Sequence, residues 1–423
     1  MEATRHVYTG GNKINGTPKD VVTFLSSFVS NAKKISLNRS EQVIDNPYQL
    51  KNGFNYTSNY ITSKDYLLVS SWSKDLGQSV VKLVRIKDGE ILHKWVVDID
   101  VINKEFNQYK IFDKQNAWTK EATYLQHPYL NNDGSLIFGA GGIYKVDKDS
   151  KYIWKKPVNC HHSIEKDSDG NFWICGINPS RKNAKKYQIR DESIQKISAK
   201  TGKVLFEKSV FEILMENNYS RGLLFINPFQ STESSYIDYM HLNDVEPVLF
   251  DGKYWKKGDL FLSLRNQNLI LLYRPSTNKI IWSQNGPWLR QHNVDILDST
   301  RIGVFGNNVI TAKYDDPTKS LIDGHNVQYV YDFSTNQCTT PYNQLLKKAK
   351  IGTYTEGRSR ILDNQTIFIE ETNHGRLIYG DSNKIQWSYI EKIDESSISI
   401  FSWCRYITEE EFKKLTFVSK KKK

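Results

Sequence analysis

Apolar positions fall in short runs separated by Gly, Asn and Asp, and one three-part unit recurs along the chain. A turn opens the unit and an apolar run follows. A second extended run then ends in Asp or an equivalent, and a run carrying Trp or Phe closes it. One copy reads Asp133-Gly-Ser-Leu-Ile-Phe, then Ile143-Tyr-Lys-Val-Asp147, then Tyr152-Ile-Trp154. The next reads Asp169-Gly-Asn-Phe-Trp-Ile, Ser193-Ile-Gln-Lys-Ile197 and Thr201-Gly-Lys-Val-Leu-Phe206. A third runs from Gly258 through Leu269-Ile-Leu-Leu-Tyr273 to Trp282, and another from Asn364 through Gly375-Arg-Leu-Ile-Tyr379 to Trp387. A first copy spans Tyr66 to Trp95 and a degenerate one Arg301 to Cys338, which makes six.

Each unit is an antiparallel meander whose tight turns take Gly, Asn or Asp because these tolerate left-handed backbone. One meander cannot bury both faces, and repeats of about 40–50 residues with such strands stack radially as blades. The pattern predicts an all-β, six-bladed β-propeller over 41–405, with short flanking helices and interblade insertions. A sandwich pair or a solenoid is the competing architecture. The insertions at 99–125 and 211–240 favour the propeller, since they project from one rim.

The ends read differently. Within segment 1–40, Thr17-Pro18 followed by Val21, Val22, Phe24, Leu25, Phe28 and Val29 predicts a capped amphipathic helix. It is expected to pack on the propeller rim rather than on a membrane. In 406–423, Thr408 with Glu411 predicts a capping box and a short helix before the Lys420–Lys423 run.

Composition agrees with a β-rich globular chain: 13% of the 423 residues are aromatic and 39% are apolar. A net charge of +11 favours anionic partners or marks a merely basic surface. No zinc-finger spacing or RNA-recognition signature is visible, so no nucleic-acid partner is expected. No apolar run approaches the roughly 18 residues of a membrane span, and Met1-Glu-Ala-Thr-Arg5 lacks signal-peptide regions. That leaves a cytoplasmic protein, or one whose export segment is missing from this chain.

The four cysteines, Cys160, Cys175, Cys338 and Cys404, form no Cys-x-x-Cys pair. Cys160 and Cys175 flank the Asp169-Gly170 turn, which leaves a cross-strand disulfide or, preferably, two buried thiols. Gly11 to Gly16 has phosphate-loop glycine spacing, but Thr17 stands where Lys is required. Gly139-Ala-Gly-Gly142 lies between two strand-like segments rather than at a helix start. No nucleotide and no other cofactor is expected.

The entry loops of propeller blades converge on the axis, and four such segments carry His or Arg: Cys160-His161-His162, His241-Leu-Asn243, Ser263-Leu-Arg265 and Gln291-His292-Asn293. Adjacent residues on a strand face opposite ways, so only one of His161 and His162 faces the axis. Read alone, His292 is first a channel-lining histidine that hydrogen-bonds backbone, and Arg265 has the alternative of an ion pair with Asp244 or Asp295. No metal site is expected, since Cys160 with the two histidines lacks a fourth ligand at a standard spacing. Glu246 is the one obvious carboxylate for an axial calcium.

In this order, His-x-Asn, Ser-x-Arg and Gln-His-Asn resemble the motifs of the arylsulfate sulfotransferases. The resemblance is close over 239–300 and looser over 125–175 and 355–390, where Gly357-Arg-Ser-Arg360 is similar to the closing blade. It implies a propeller enzyme in which a histidine takes the sulfuryl group from an aryl sulfate and passes it to a phenol or glycan hydroxyl, without a nucleotide donor. It makes His292 the nucleophile, Arg265 and His241 its catalytic partners, and Asn243, His162 and Arg358 substrate-binding residues. Asn293 stands where relatives often carry Asp. The resemblance also implies an extracytoplasmic location. A non-catalytic propeller binding an anionic glycan, or a protein-interaction scaffold, is the alternative function.

Overall fold

The computed structural model describes residues 40–57, 63–108, 119–177, 182–187, 189–219, 238–309, 321–362 and 365–418. The helix expected over 17–29, the Lys420–Lys423 run and parts of both insertions lie outside them. The chain is mostly β, and every strand pairing among the described residues is antiparallel. Three sheets have four strands each; others have five, six and three.

Alternation within single strands arranges the sheets as a propeller-like ring. Leu68 packs with Phe138 of the next sheet in sequence, whereas its neighbours Leu67 and Val69 pack with Phe368 and Trp387 of the last. Phe261 faces Val304, while Leu260 and Leu262 face Trp173. Phe305 faces Ile367 and Ile378, while Val304 faces back. Ile137 packs with Ile164 and Ile174. Each such strand is therefore buried on both faces, and a one-residue slip would exchange its two neighbours. The contacts run from sheet to sheet and return to the first.

Arg405–Ile407 closes this circle by pairing with Tyr66–Ser73, so residues from near the two ends of the described chain share one sheet. Arg405 ties that strand sideways. Its Nε donates to the Pro128 carbonyl (2.9 Å) and its guanidinium pairs with Glu165 (3.1 Å). Beyond it, Thr408 and Glu411 form the expected capping box on the helix Glu409–Lys413.

One local expectation changes. The runs at 133–138 and 143–147 are not separate strands, because Leu136–Val146 is continuous. Its register shifts between Gly141 and Ile143, where a Cβ on Gly142 would lie 2.6 Å from the Lys156 carbonyl. The following strand, Tyr152–Lys166, serves two neighbours, pairing first with Leu136–Val146 and then with Phe172–Ile177. Cys160 lies opposite Gly176, with Cys175 opposite His161, and all four cysteines are free thiols. No described helix is long and apolar enough to cross a membrane.

One buried ion pair bridges the last sheet and the first. Lys82 reaches Glu391 at 2.5 Å, and the hydroxyls of Ser71 and Tyr389 donate to the same carboxylate (2.6 Å each). Burial alone would raise the Glu391 pKa, but Lys82 and the hydroxyls outweigh it and hold the carboxyl below its ordinary value. A carboxyl with a depressed folded pKa stabilises the fold above its unfolded pKa, about 4.3, and loses that contribution as pH falls through the folded value. Glu391→Gln is expected to lower stability by about 3 kcal/mol at pH 7, as for breaking a buried pair. In urea titrations the gap from the parent chain should narrow below about pH 4. A gap unchanged with pH would show that the carboxylate's charge contributes nothing.

Candidate active site

The strands that line the axis share a backbone device. A residue with positive φ marks each, one or two residues before the strand at His241 (52°), Asn293 (72°), Glu356 (54°) and Trp403 (57°), and at a register shift within it at His127 (51°) and His162 (54°). None is glycine, and such conformations are costly for residues with a Cβ. The left-handed residue re-aims the chain at or within the strand, so side chains from separate sheets meet.

His162, His241 and His292 meet there. Each offers a ring nitrogen, and these nitrogens all lie within 4.8 Å of one another. His162 Nε2 is 3.1 Å from His241 Nε2, and the His162 and His292 ring centroids are 5.6 Å apart. A register shift between His161 and Ile164 breaks the expected alternation: the His161 ring centroid lies 5.0 Å from that of His162, with Nε2 toward Glu192 (3.6 Å).

His292 is held rigidly and is 1% exposed. Its backbone N–H donates to the Phe305 carbonyl (2.9 Å). Its Nδ1 lies 2.6 Å from Asn307 Oδ1. Asn307 Nδ2 donates to the carbonyls of Thr353 (3.1 Å) and Glu356 (2.8 Å), which leaves Oδ1 as the acceptor. Nδ1 of His292 therefore carries the proton and Nε2 the lone pair. The Glu356 backbone N–H reaches that Nε2 at a long 3.3 Å. Burial, then the Arg265 charge, holds the His292 pKa well below its ordinary value, so the ring is neutral.

His241 is oriented by a carboxylate. Its Nδ1 donates to Asp238 Oδ2 (2.6 Å), and its backbone N–H donates to Asp238 Oδ1 (3.0 Å). Arg190 also donates to Asp238 (3.3 Å). Burial would raise the Asp238 pKa, but His241 and Arg190 hold it well below the carboxylate range. With Nδ1–H committed, His241 Nε2 shares one proton with His162 Nε2.

The remaining expected residues take distinct places. Arg265 is 6% exposed, its backbone N–H donates to the His241 carbonyl (3.1 Å), and its charge lowers the pKa of both His241 and His292. Asn243 turns its Nδ2 to the Gln291 carbonyl (2.7 Å), against the loop that carries His292. Asn293 accepts the Ser359 backbone N–H (3.0 Å) and donates to Asp295 (3.1 Å), joining adjacent sheets. Arg358 lies outside the histidine trio, over the Trp403 ring at 5.6 Å, and lines a cavity of about 580 Å³. Glu165, Glu246, Asp295, Arg360 and Arg405 share that cavity, one from each of five axial strands. Burial, then Glu165, pushes the Glu246 carboxyl well above its ordinary pKa.

Sequence reasoning missed Asp238, Arg190, Asn307, Glu356 and His127. Asp238, three residues before His241, was the one within reach of local spacing. His127 is fully buried against Trp403, with a ring-centroid separation of 3.3 Å.

An arylsulfotransferase (ASST) family model matches residues 128–392, which include all the expected site residues. No curated protein is significantly similar in sequence. Among solved structures, a Bacteroides caccae protein of unknown function aligns at 13% identity and a TM-score of 0.47, covering 82% of this chain and 100% of that one. The Dos1 propeller aligns at 10% identity and TM-score 0.37 (84% and 76% covered). BamB from Moraxella catarrhalis aligns at 11% and 0.35 (86% and 99%). With the family model spanning most of its length, this chain belongs to the arylsulfotransferase family.

Proposed function

We propose that this chain moves a sulfuryl group from an aryl sulfate to a hydroxyl acceptor through a sulfohistidine on His292, on a six-bladed propeller. The observation that carries the reading is the tautomer lock. Asn307 holds the Nδ1 proton and leaves the Nε2 lone pair for attack, among the other histidines and under the Arg265 charge. The six interlocking cores and the six left-handed residues at or within axial strands support the blade number.

In the first half-reaction His292 Nε2 bonds to sulfur as the aryl oxygen–sulfur bond breaks, and that electron pair leaves on the phenolate oxygen. His241, entering as the imidazolium, gives its Nε2 proton to the phenolate and is left neutral. Asp238 steadies the imidazolium form of His241 whenever it holds the extra proton. In the second half the acceptor hydroxyl gives its proton to His241 and attacks sulfur. The sulfur–nitrogen bond breaks, and its electrons return to His292. As in phosphoryl transfer, charge spreads over oxygens in a loose transition state, so guanidinium donors such as Arg265 and fixed geometry supply most of the acceleration. Asn243 fixes the loop behind the nucleophile, and Arg358 contacts the far part of a substrate that extends along the axis.

Mixing with excess nitrophenyl sulfate in the absence of acceptor is expected to release one equivalent of nitrophenol per chain in a fast burst. Adding a phenol acceptor should then restart release. Release only when both substrates are present would replace the two-step scheme with direct transfer.

A further inference from the structure

We propose that His162, His241 and His292 also form a binding site for a divalent transition metal ion, zinc above all, and that the bound ion closes the site to sulfuryl transfer. In tetrahedral coordination at zinc–nitrogen distances of about 2.0–2.1 Å, ligand nitrogens stand about 3.3 Å apart. His162 Nε2 and His241 Nε2 are 3.1 Å apart, and the third ring nitrogen lies within 4.8 Å of both. Small rotations bring the trio into register.

The surroundings are those of ligating histidines. A ligating imidazole needs its other N–H fixed by a carboxylate or carbonyl. Asp238 does this for His241 and Asn307 for His292, each at 2.6 Å on Nδ1, so both rings direct Nε2 at the common point. Asp238 also supplies negative charge that offsets the nearby arginines. Three imidazoles leave a fourth position for water, and imidazole sets suit zinc, copper and nickel over calcium or magnesium. The 3.3 Å contact from the Glu356 N–H to His292 Nε2 is long enough to yield to a metal bond.

Metal binding itself needs no sulfuryl chemistry, and only the blocking effect rests on the proposed function. Zinc and an aryl sulfate then compete for His292 Nε2.

The test is titration of the metal-stripped full chain with Zn²⁺ by calorimetry, and with Co²⁺ by visible absorption. One equivalent is expected to bind, and cobalt should give the intense bands of tetrahedral coordination. Single replacements His162→Ala, His241→Ala and His292→Ala should each weaken binding by more than about 100-fold, and Asp238→Asn, which keeps every ligand, by about 10-fold. His93→Ala, at a histidine outside the trio that bonds the Lys148 carbonyl, should leave binding unchanged, and thermal melts check that each variant is folded. Absence of one-equivalent binding, or binding that persists in all three alanine variants, overturns the proposal. The sulfuryl burst, run without metal, separates the two readings: a burst with no metal site leaves only the transfer, and a metal site with no burst only the metal.

Discussion

His292→Asn is expected to lower kcat for nitrophenyl sulfate by at least about 10⁴-fold, an effect of about 5.5 kcal/mol on the barrier. On the proposed scheme the residue loses the atom that bonds sulfur, so both half-reactions fail together. The fold has little reason to change. Asparagine retains an N–H donor for Asn307 Oδ1, and the backbone N–H of residue 292 still donates to Phe305. Steady-state rates with thermal melts check the prediction. A loss under tenfold with an unchanged melt would move the nucleophile to another residue.

Arg405→Met is expected to have the largest effect on stability, about 3–5 kcal/mol. Methionine fills the volume but strands the Glu165 carboxylate and the carbonyls of Pro128 and Ile164, which the guanidinium now satisfies. The loss falls on Arg405–Ile407, the strand that closes the ring. Urea unfolding should show a lower midpoint, and adding Glu165→Leu should recover part of the loss, because the unpaired charge is then removed as well. A cost below about 1 kcal/mol would mean that closure rests on apolar packing instead.

The second strands of the blades were legible in the sequence because both of their faces are buried. Leu67-Leu68-Val69 and Leu260-Phe261-Leu262 read as unbroken apolar runs bounded by turn residues. The axial strands were not legible as strands. Arg358–Ile361 and Arg405–Ile407 are short and carry charges toward the central cavity, so no apolar alternation marks them. The continuous strand Leu136–Val146 was hidden by Gly139 to Gly142, which read as a break.

The site divides the same way. The histidines of the trio stood out through the motifs that resemble the family's. Their supports did not, because Asn307 and Arg190 reach the histidines across loops and neighbouring strands, and single asparagines or arginines carry no spacing signal. The left-handed positions at the axial strands are built on His, Asn, Glu and Trp, residues that do not announce such a turn as glycine does.

The account's central claim is that sulfur bonds to Nε2 of His292. The direct measurement is tandem mass spectrometry of peptides from chain quenched at high pH after reaction with nitrophenyl sulfate without acceptor. The sulfuryl group is expected on His292, lost on addition of a phenol and missing from His292→Asn. A sulfuryl group on His162, on His241 or on a hydroxyl side chain, with His292 unmodified, would contradict it.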